Sequence, residues 1–464
     1  MDETQQILKT RDDNTRIAFL KAENPEDSTK PFVLKEGESC SWLKKEASFG
    51  TTELRPRIEP WLTALCQSEH LSLLLGSGLT HAVHHIATDN DLPGMAKGDF
   101  GVYNEEISVE ANRSSELTKR ASGNFEDQIR AANELLRGLE IASVGNSELK
   151  PAAIDLKLNL SKQISSFADS ILQGEQGIVS AENGMRVNAF NYLVSFLMSF
   201  ASRTGTRDRL NIFTTNYDRL IEAGAEAAGM HLLDRFVGSL SPVFRSSRLD
   251  LDLHYNPPGI RGEPRYLEGV ARFTKLHGSL DWFNRDREII RLGIPFGAGV
   301  LKPFLDASGI DTGMQIMIYP NAAKDRETAS YPYVELFRDF AASVCRPNHT
   351  LIAFGYSFGD EHINRVIEDM LTIPSTHLVI ISYSDPLQRI MNTYERLGRH
   401  AQISLMIGNH IGDFQTLVDH YLPKPAIDRT TFRMAELLKS RFGTNQTKSE
   451  KDSEVQRELE GGVS

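Results

Sequence analysis

Between Leu71 and Thr80 the chain reads LSLLLGSGLT: an apolar run stops on Gly76, a second glycine follows at Gly78, and His81-Ala82-Val83 can then start a helix. The same grammar recurs along the chain, in LNIFTTN at 210–216, ARFTKLHG at 271–278, MQIMIYP at 314–320, TLIAFGY at 350–356, HLVIISY at 377–383 and QISLMIG at 402–408. Each run is apolar on both faces, ends in Gly, Asn, His, Tyr or Pro, and is separated from the next by helical patterns. A strand that is apolar all round must be covered on both sides, so the series predicts an α/β fold: a Rossmann-like, doubly wound parallel sheet. In such sheets ligands bind beyond the carboxyl ends of the strands, which makes the residues that end these runs the first candidates for chemistry.

The long interval between the first two runs is helical. Phe125, Ile129, Ala132, Leu136 and Leu139, and likewise Leu160, Ile164, Phe167 and Ile171, repeat at helical spacing. They predict an inserted helical layer over about 100–205. Residues 1–50 form a separate prefix in which Arg16–Leu20 and Pro31–Lys35 flank the turn-rich ENPEDSTK, a hairpin pattern and a candidate interface. The main α/β domain is then 51–442. Gly443–Ser464 has too few apolar residues to recover the entropy of ordering and reads as a disordered acidic tail. The Arg-, Asp-, Pro- and Gly-rich stretch 236–270 has no period; it is either a lid over the strand ends or an irregular surface connection.

Composition narrows the partners. Of 464 residues 40% are hydrophobic and 24% charged, ordinary for a globular chain. The formal net charge of −11 gives no global attraction for nucleic acid. Cys40, Cys66 and Cys345 are far apart with no CxxC, which excludes a disulfide framework and a four-thiolate zinc site within the chain. The start, MDETQQILKTRDDN, is polar and acidic, unlike a signal peptide. The longest greasy stretch, Phe190–Ala201, is broken by Asn191, Ser195 and Ser199 and is short of the ~20 residues that span a bilayer. A soluble cytoplasmic protein is expected, with no membrane or direct nucleic-acid partner.

Four strand ends carry groups suited to a ligand. Gly76-Ser77-Gly78-Leu79-Thr80 lets backbone approach a phosphate at a helix start, although a bare GxG is also an ordinary tight turn. Asn216 and Asp218 in TTNYD place an amide and a carboxylate two residues apart after a buried strand; they either line a pocket or cap the helix expected over Arg219–Ala228. His277, followed by Gly278, can point into a cleft as a base or a hydrogen-bond partner. Gly355-Tyr356-Ser357-Phe358-Gly359-Asp360 is a second glycine-rich turn, and Asp360, His362 and Asn364 belong either to the site or to the start of the next helix.

These four turns, in this chain order, resemble the sirtuin family of NAD-binding proteins. Gly76 to Thr80 is similar to the family's GAGxS phosphate loop, with Ser77 for Ala and Thr80 for Ser; Asn216 and Asp218 correspond to its nicotinamide-pocket Asn and Asp, His277 to its catalytic histidine, and Gly355–Ser357 to its GTS-like turn. The resemblance spans roughly residues 56 to 425. It departs from the protein-deacylating sirtuins in having no two CxxC pairs for a zinc ribbon, so no zinc is expected, and in carrying THAVHHIATDNDLPGM where they have Gly-Ile-Pro-Asp-Phe-Arg. IFTTNYD, KLHGSLDWF, MIYPNAAK and FGYSFGDEHIN look like the bacterial antiphage NADases that act with a HerA-type hexameric ATPase. No Walker A pattern is present, so such an ATPase would be a separate protein.

The resemblance implies NAD as substrate, a homo-oligomer, and nicotinamide release by cleavage of the ribosyl bond, gated by assembly or a partner. In that reading Asn216, Asp218 and His277 are catalytic, while Gly76, Ser77, Gly78, Thr80, Gly355 and Ser357 hold phosphate and ribose. At a later strand end stand Ser382 and Tyr383, and the sequence leaves open which residues there meet the adenosine ribose. Two other readings stay open: a non-catalytic subunit sensing NAD or ADP-ribose within a defence complex, and an NAD-dependent protein deacylase without zinc.

Overall fold

The computed structural model describes residues 5–22, 25, 27–43, 47–92, 97–117, 123–201, 208–247, 252–255, 265–267, 269–286, 288–310, 313–318 and 331–424. The tail at 443–464 and most of MIYPNAAK lie outside these described residues.

The strands are β1 (Gln5–Lys9), β2 (Ile17–Lys21), β3 (Phe32–Leu34), β4 (His70–Leu75), β5 (Leu210–Thr214), β6 (His231–Leu233), β7 (Phe236–Val237), β8 (Val243–Phe244), β9 (His254–Tyr255), β10 (Arg265–Tyr266), β11 (Val270–Lys275), β12 (Gly278–Arg285), β13 (Glu288–Arg291), β14 (Ile316–Ile318), β15 (His349–Phe354), β16 (His377–Ser382) and β17 (Ile403–Ile407). Ten of them form one sheet in the order β3-β2-β1-β17-β16-β15-β4-β5-β11-β6. From β17 to β6 every pairing is parallel. β1, β2 and β3 add antiparallel to the β17 edge, so part of the prefix extends the central sheet.

The chain starts the parallel part at β4, winds out through β5 and β11, then returns to β15 on the other side of β4. This reversal is the Rossmann-like order, and the crevice it opens lies between the ends of β4 and β15. Alternate residues of the central strands face opposite layers. Leu73 and Leu75 of β4 join one apolar cluster with Ile352 and Phe354, whereas Leu74 joins a second with Leu351 and Ala353. The first cluster takes in helices α1 (Thr51–Cys66), α2 (Ser77–Thr88), α6 (Asn183–Ala201) and α7 (Leu220–Ala227). The second is covered by α9 (Tyr333–Val344), α10 (Glu361–Leu371) and α11 (Arg389–Leu397).

The inserted layer is α3 (Asn104–Leu117), α4 (Phe125–Ala142) and α5 (Lys150–Ser180), continuing into α6. α4 starts on a reciprocal cap: Asp127 N–H donates to Asn124 Oδ1 at 2.9 Å and Asn124 N–H to Asp127 Oδ2 at 3.0 Å. This layer buries Ile129, Leu160 and Ile164 with Leu280, Phe283 and Ile316 of a second, antiparallel sheet, β14-β12-β13-β8-β7. That sheet corrects two readings. The run at 314–320 is not a further parallel strand, because β14 pairs antiparallel with β12. The stretch 236–270 is not all loop: β7 and β8 lie in this second sheet, β9 and β10 pair with each other, and between β10 and β11 the chain rejoins the parallel sheet. The short helix α8 (Lys302–Ser308) follows β13. Among the described residues no helix is long and apolar enough to cross a membrane.

Candidate active site

The two glycine turns at the crevice are packed backbone against backbone. Gly76 N–H donates to Phe354 O at 3.0 Å and Gly78 N–H to Gly355 O at 3.1 Å. A Cβ on Gly78 would stand 2.6 Å from Gly355 Cα, and Gly355 itself sits at φ +61°, where an L side chain is strained. Only glycine satisfies both demands. A cavity of about 550 Å³ opens beside this contact, within the ~300–1,000 Å³ of small-ligand sites. Gly76, Ser77, Thr80, Gly355 and Ser357 line it; Gly78 is used in the turn contact and is not a lining residue.

Asn216 and Asp218 leave the end of β5 into the same cavity. Asn216 is 7% exposed, and its Nδ2 donates to Gly76 O at 3.0 Å and to Thr80 Oγ1 at 2.9 Å. Thr80 passes the relay on, its hydroxyl donating to Asp218 Oδ2 at 2.7 Å. The other Asp218 oxygen accepts the Leu220 N–H at 3.0 Å. Asp218 therefore does two things at once, holding the start of α7 and ending the relay, while Asn216 caps nothing. With both amide hydrogens of Asn216 taken by protein, its Oδ1 is the atom available to a ligand. Beneath this segment the buried Lys275 ammonium donates to the carbonyls of Tyr217, at 3.4 Å, and Asp218, and pairs with Glu222 at 3.0 Å. Burial outweighs that lysine and pushes the Glu222 carboxyl up to about 7.

His277 stands where the chain crosses from β11 to β12. Gly278 makes the crossing possible: its φ is +83°, and a Cβ there would meet Met317 O at 2.0 Å. The imidazole is buried, and its Nε2 lies 2.7 Å from Asp360 Oδ2. Asp360 also caps α10, its Oδ1 accepting the His362 N–H at 3.1 Å. Asn364 braces the turn that carries Asp360: its Nδ2 donates to Phe358 O at 3.0 Å, and it accepts from Tyr356 Oη at 3.0 Å. Asp360 thus lines the cavity; His362 and Asn364 do not.

Several lining residues had no place in the sequence reading. α5 roofs the cavity with Phe167, Ile171, Gly174 and Ile178, a face that continues the helical period already visible at Phe167 and Ile171. Glu126 at the start of α4 accepts from Tyr217 Oη at 3.4 Å, tying α4 to the β5 segment. Ser382 and Tyr383 do not line the cavity; after β16 it is Leu387 in the loop and Arg389, the first residue of α11, that do. Among the described lining residues Arg389 is the only lysine or arginine, in company with four carboxylates, Glu126, Glu175, Asp218 and Asp360. Its Nη1 lies 3.0 Å from where a Cβ of Gly359 would be, so glycine at 359 makes room for the guanidinium. His81, also lining the cavity, is held below the usual histidine range by burial, partly opposed by Asp91.

Among the described residues no group of three or more His, Cys, Asp or Glu is arranged to hold a metal ion. No curated protein matches the chain. Residues 210–403, which carry Asn216, Asp218, His277, Gly355, Ser357 and Arg389, match the SIR2-like domain family, a match that suggests an NAD-related activity.

Proposed function

We propose that the chain is an NAD glycohydrolase, splitting NAD with water into nicotinamide, ADP-ribose and a proton. The observation that carries this reading is the convergence of two polar systems, Asn216–Thr80–Asp218 and His277–Asp360, on one cavity roofed by α5. Asn216 Oδ1 would hold the nicotinamide amide or the attacking water, with its orientation fixed by the bonds to Gly76 and Thr80. His277 would take the proton from water or a ribose hydroxyl as the ribosyl bond opens. Ser77, Thr80, Gly355 and Ser357 border the space for ribose and diphosphate.

In this reading the enzyme serves antiphage defence by depleting NAD, works as a homo-oligomer, and is gated by assembly or by a HerA-type hexameric ATPase. Exposed Val109, Ile141, Ile154 and Leu158 on the inserted helices, with Val102 and Val144 in the turns beside them, support an interface there, and the prefix offers a second. One observation favours the alternative of an NAD- or ADP-ribose-sensing subunit: both Asn216 hydrogens and both Asp218 oxygens are already engaged within the protein.

The test is nicotinamide and ADP-ribose release from NAD by the purified chain, alone and with the candidate ATPase, for wild type, Asn216→Ala and His277→Ala. Release without acylated peptide that both variants lose establishes the hydrolase, and its dependence on the ATPase measures the gating. Binding of NAD with no release under any condition makes the chain a sensor.

Arg389 gives a smaller, separate expectation. As the one lysine or arginine among the described residues lining the cavity it offsets the substrate's diphosphate charge, so Arg389→Ala raises KM for NAD about tenfold, or ~1.4 kcal/mol, with kcat within about threefold. Nicotinamide riboside, which has no phosphate, should show no such change; an equal loss with both substrates removes Arg389 from phosphate recognition.

A further inference from the structure

We propose that Asp360 is the positioning residue of this site: by accepting the Nε2 hydrogen of His277 it fixes the imidazole as the tautomer whose Nδ1 is the base. The inference rests on the reading of His277 as the group that accepts the proton, and it goes beyond that reading by naming which nitrogen acts and what decides it.

The geometry carries the argument. The 2.7 Å contact between His277 Nε2 and Asp360 Oδ2 is short, and both side chains are nearly out of water, at 9% and 6% exposure. A buried carboxylate needs donors, and the two oxygens of Asp360 take theirs from the His362 backbone and from His277. A carboxylate cannot donate, so the hydrogen in the shared bond sits on Nε2 and the imidazole presents Nδ1 without one. When water is deprotonated, its proton goes to Nδ1, and the imidazolium that forms is stabilised by Asp360, which does not itself take the proton. Asp360 does not drift, because it is the cap of α10 and its turn is braced by Tyr356 and Asn364. The pair is held by two different crossovers, β11 to β12 and β15 to α10, so it exists only once the sheet is assembled.

Asp360→Asn is the discriminating variant. Asparagine caps a helix as well as aspartate does, so the start of α10 is kept while the charge is lost. The amide can turn its NH₂ toward Nε2 and invert the tautomer. The expected result is a kcat lowered by about 10²–10⁴-fold with KM changed less than about threefold and an unchanged melting curve. Asp360→Glu, which keeps the carboxylate, should recover part of kcat. Independently of turnover, ¹⁵N-histidine NMR, with the His277 signals identified by their loss in His277→Asn, should show Nε2–H in the wild type and Nδ1–H in Asp360→Asn. An Nδ1–H tautomer in the wild type, no change of tautomer in Asp360→Asn, or more than a third of kcat retained in that variant overturns the proposal. If His277→Ala keeps full turnover, the base reading has failed instead, and the NMR comparison still decides whether Asp360 sets the tautomer.

Discussion

Asn216→Ala should lower nicotinamide release by about 10³-fold while costing only about 1–2 kcal/mol of stability. The two effects separate because the side chain does two jobs. Its Nδ2 bonds Gly76 O at 3.0 Å and Thr80 Oγ1 at 2.9 Å; removing it leaves one carbonyl and one hydroxyl short of a donor, a loss of ordinary hydrogen-bond size. Gly76 keeps its own N–H bond to Phe354, so the glycine contact that forms the crevice survives. Its Oδ1, by contrast, is an acceptor held in place at the cavity, and preorganised polar groups of that kind are worth ~10²–10³ in rate when removed singly. Asn216→Asp sharpens the test. It keeps size and shape but cannot donate to Gly76 or Thr80, and it places a second carboxylate next to Asp218; activity should fall as far as in the alanine variant. Product analysis by chromatography, beside a denaturant titration, reads both quantities. A variant with more than a tenth of wild-type turnover would remove Asn216 from the chemistry.

The same residues show how far the sequence reaches. Strands buried on both faces announce themselves in composition, so LSLLLG, LNIFTT, TLIAFG and HLVIIS were legible as the parallel sheet, and the residues ending them as candidates for the site. Within the site Asp218 could be read as a cap or as a pocket residue, and the structure makes it both, because its two oxygens accept from different elements. The relay through Thr80 was not legible: it joins the β4 and β5 ends, 136 residues apart in sequence, and only strand order brings them together. The partnership of His277 with Asp360 spans 83 residues and has no local signature for the same reason. β14 was misassigned because IMI is apolar in either kind of sheet, and its partner, β12, departs from strict alternation by being buried from Gly278 to Phe283. The roof was half visible. The period through Phe167 and Ile171 told of a helix with one apolar face, but not that part of this face covers a cavity and not a neighbour.

Glu175→Ala should unlatch that roof, at a cost of about 3–5 kcal/mol in folding stability. Glu175 is the one carboxylate on the cavity face of α5, and it meets Arg219, the residue after Asp218. Their side chains are only 2% and 8% exposed. Glu175 Oε1 accepts from the Arg219 backbone N–H at 2.8 Å and from Nε at 3.2 Å, while Oε2 takes Nη2; Nη2 also reaches Pro295 O at 3.1 Å. Removing the glutamate leaves a guanidinium buried among carbonyls without its directly bonded partner, Asp281 and Glu222 acting on it only as further charges, and breaking one side of a buried pair is far more costly than the pair's net worth. The contrast gives the control. Glu175→Leu with Arg219→Met removes both charges and keeps apolar volume, so the double variant should recover most of the lost stability in denaturant melts. It should not recover activity. The Arg219 amide hydrogen bond to α5 is gone in both, and that bond ties the roof helix to the segment bearing Asn216 and Asp218. Stability restored with turnover still lost means that α5 acts on the reaction by closing the cavity; turnover restored along with stability would mean that the roof is packing alone.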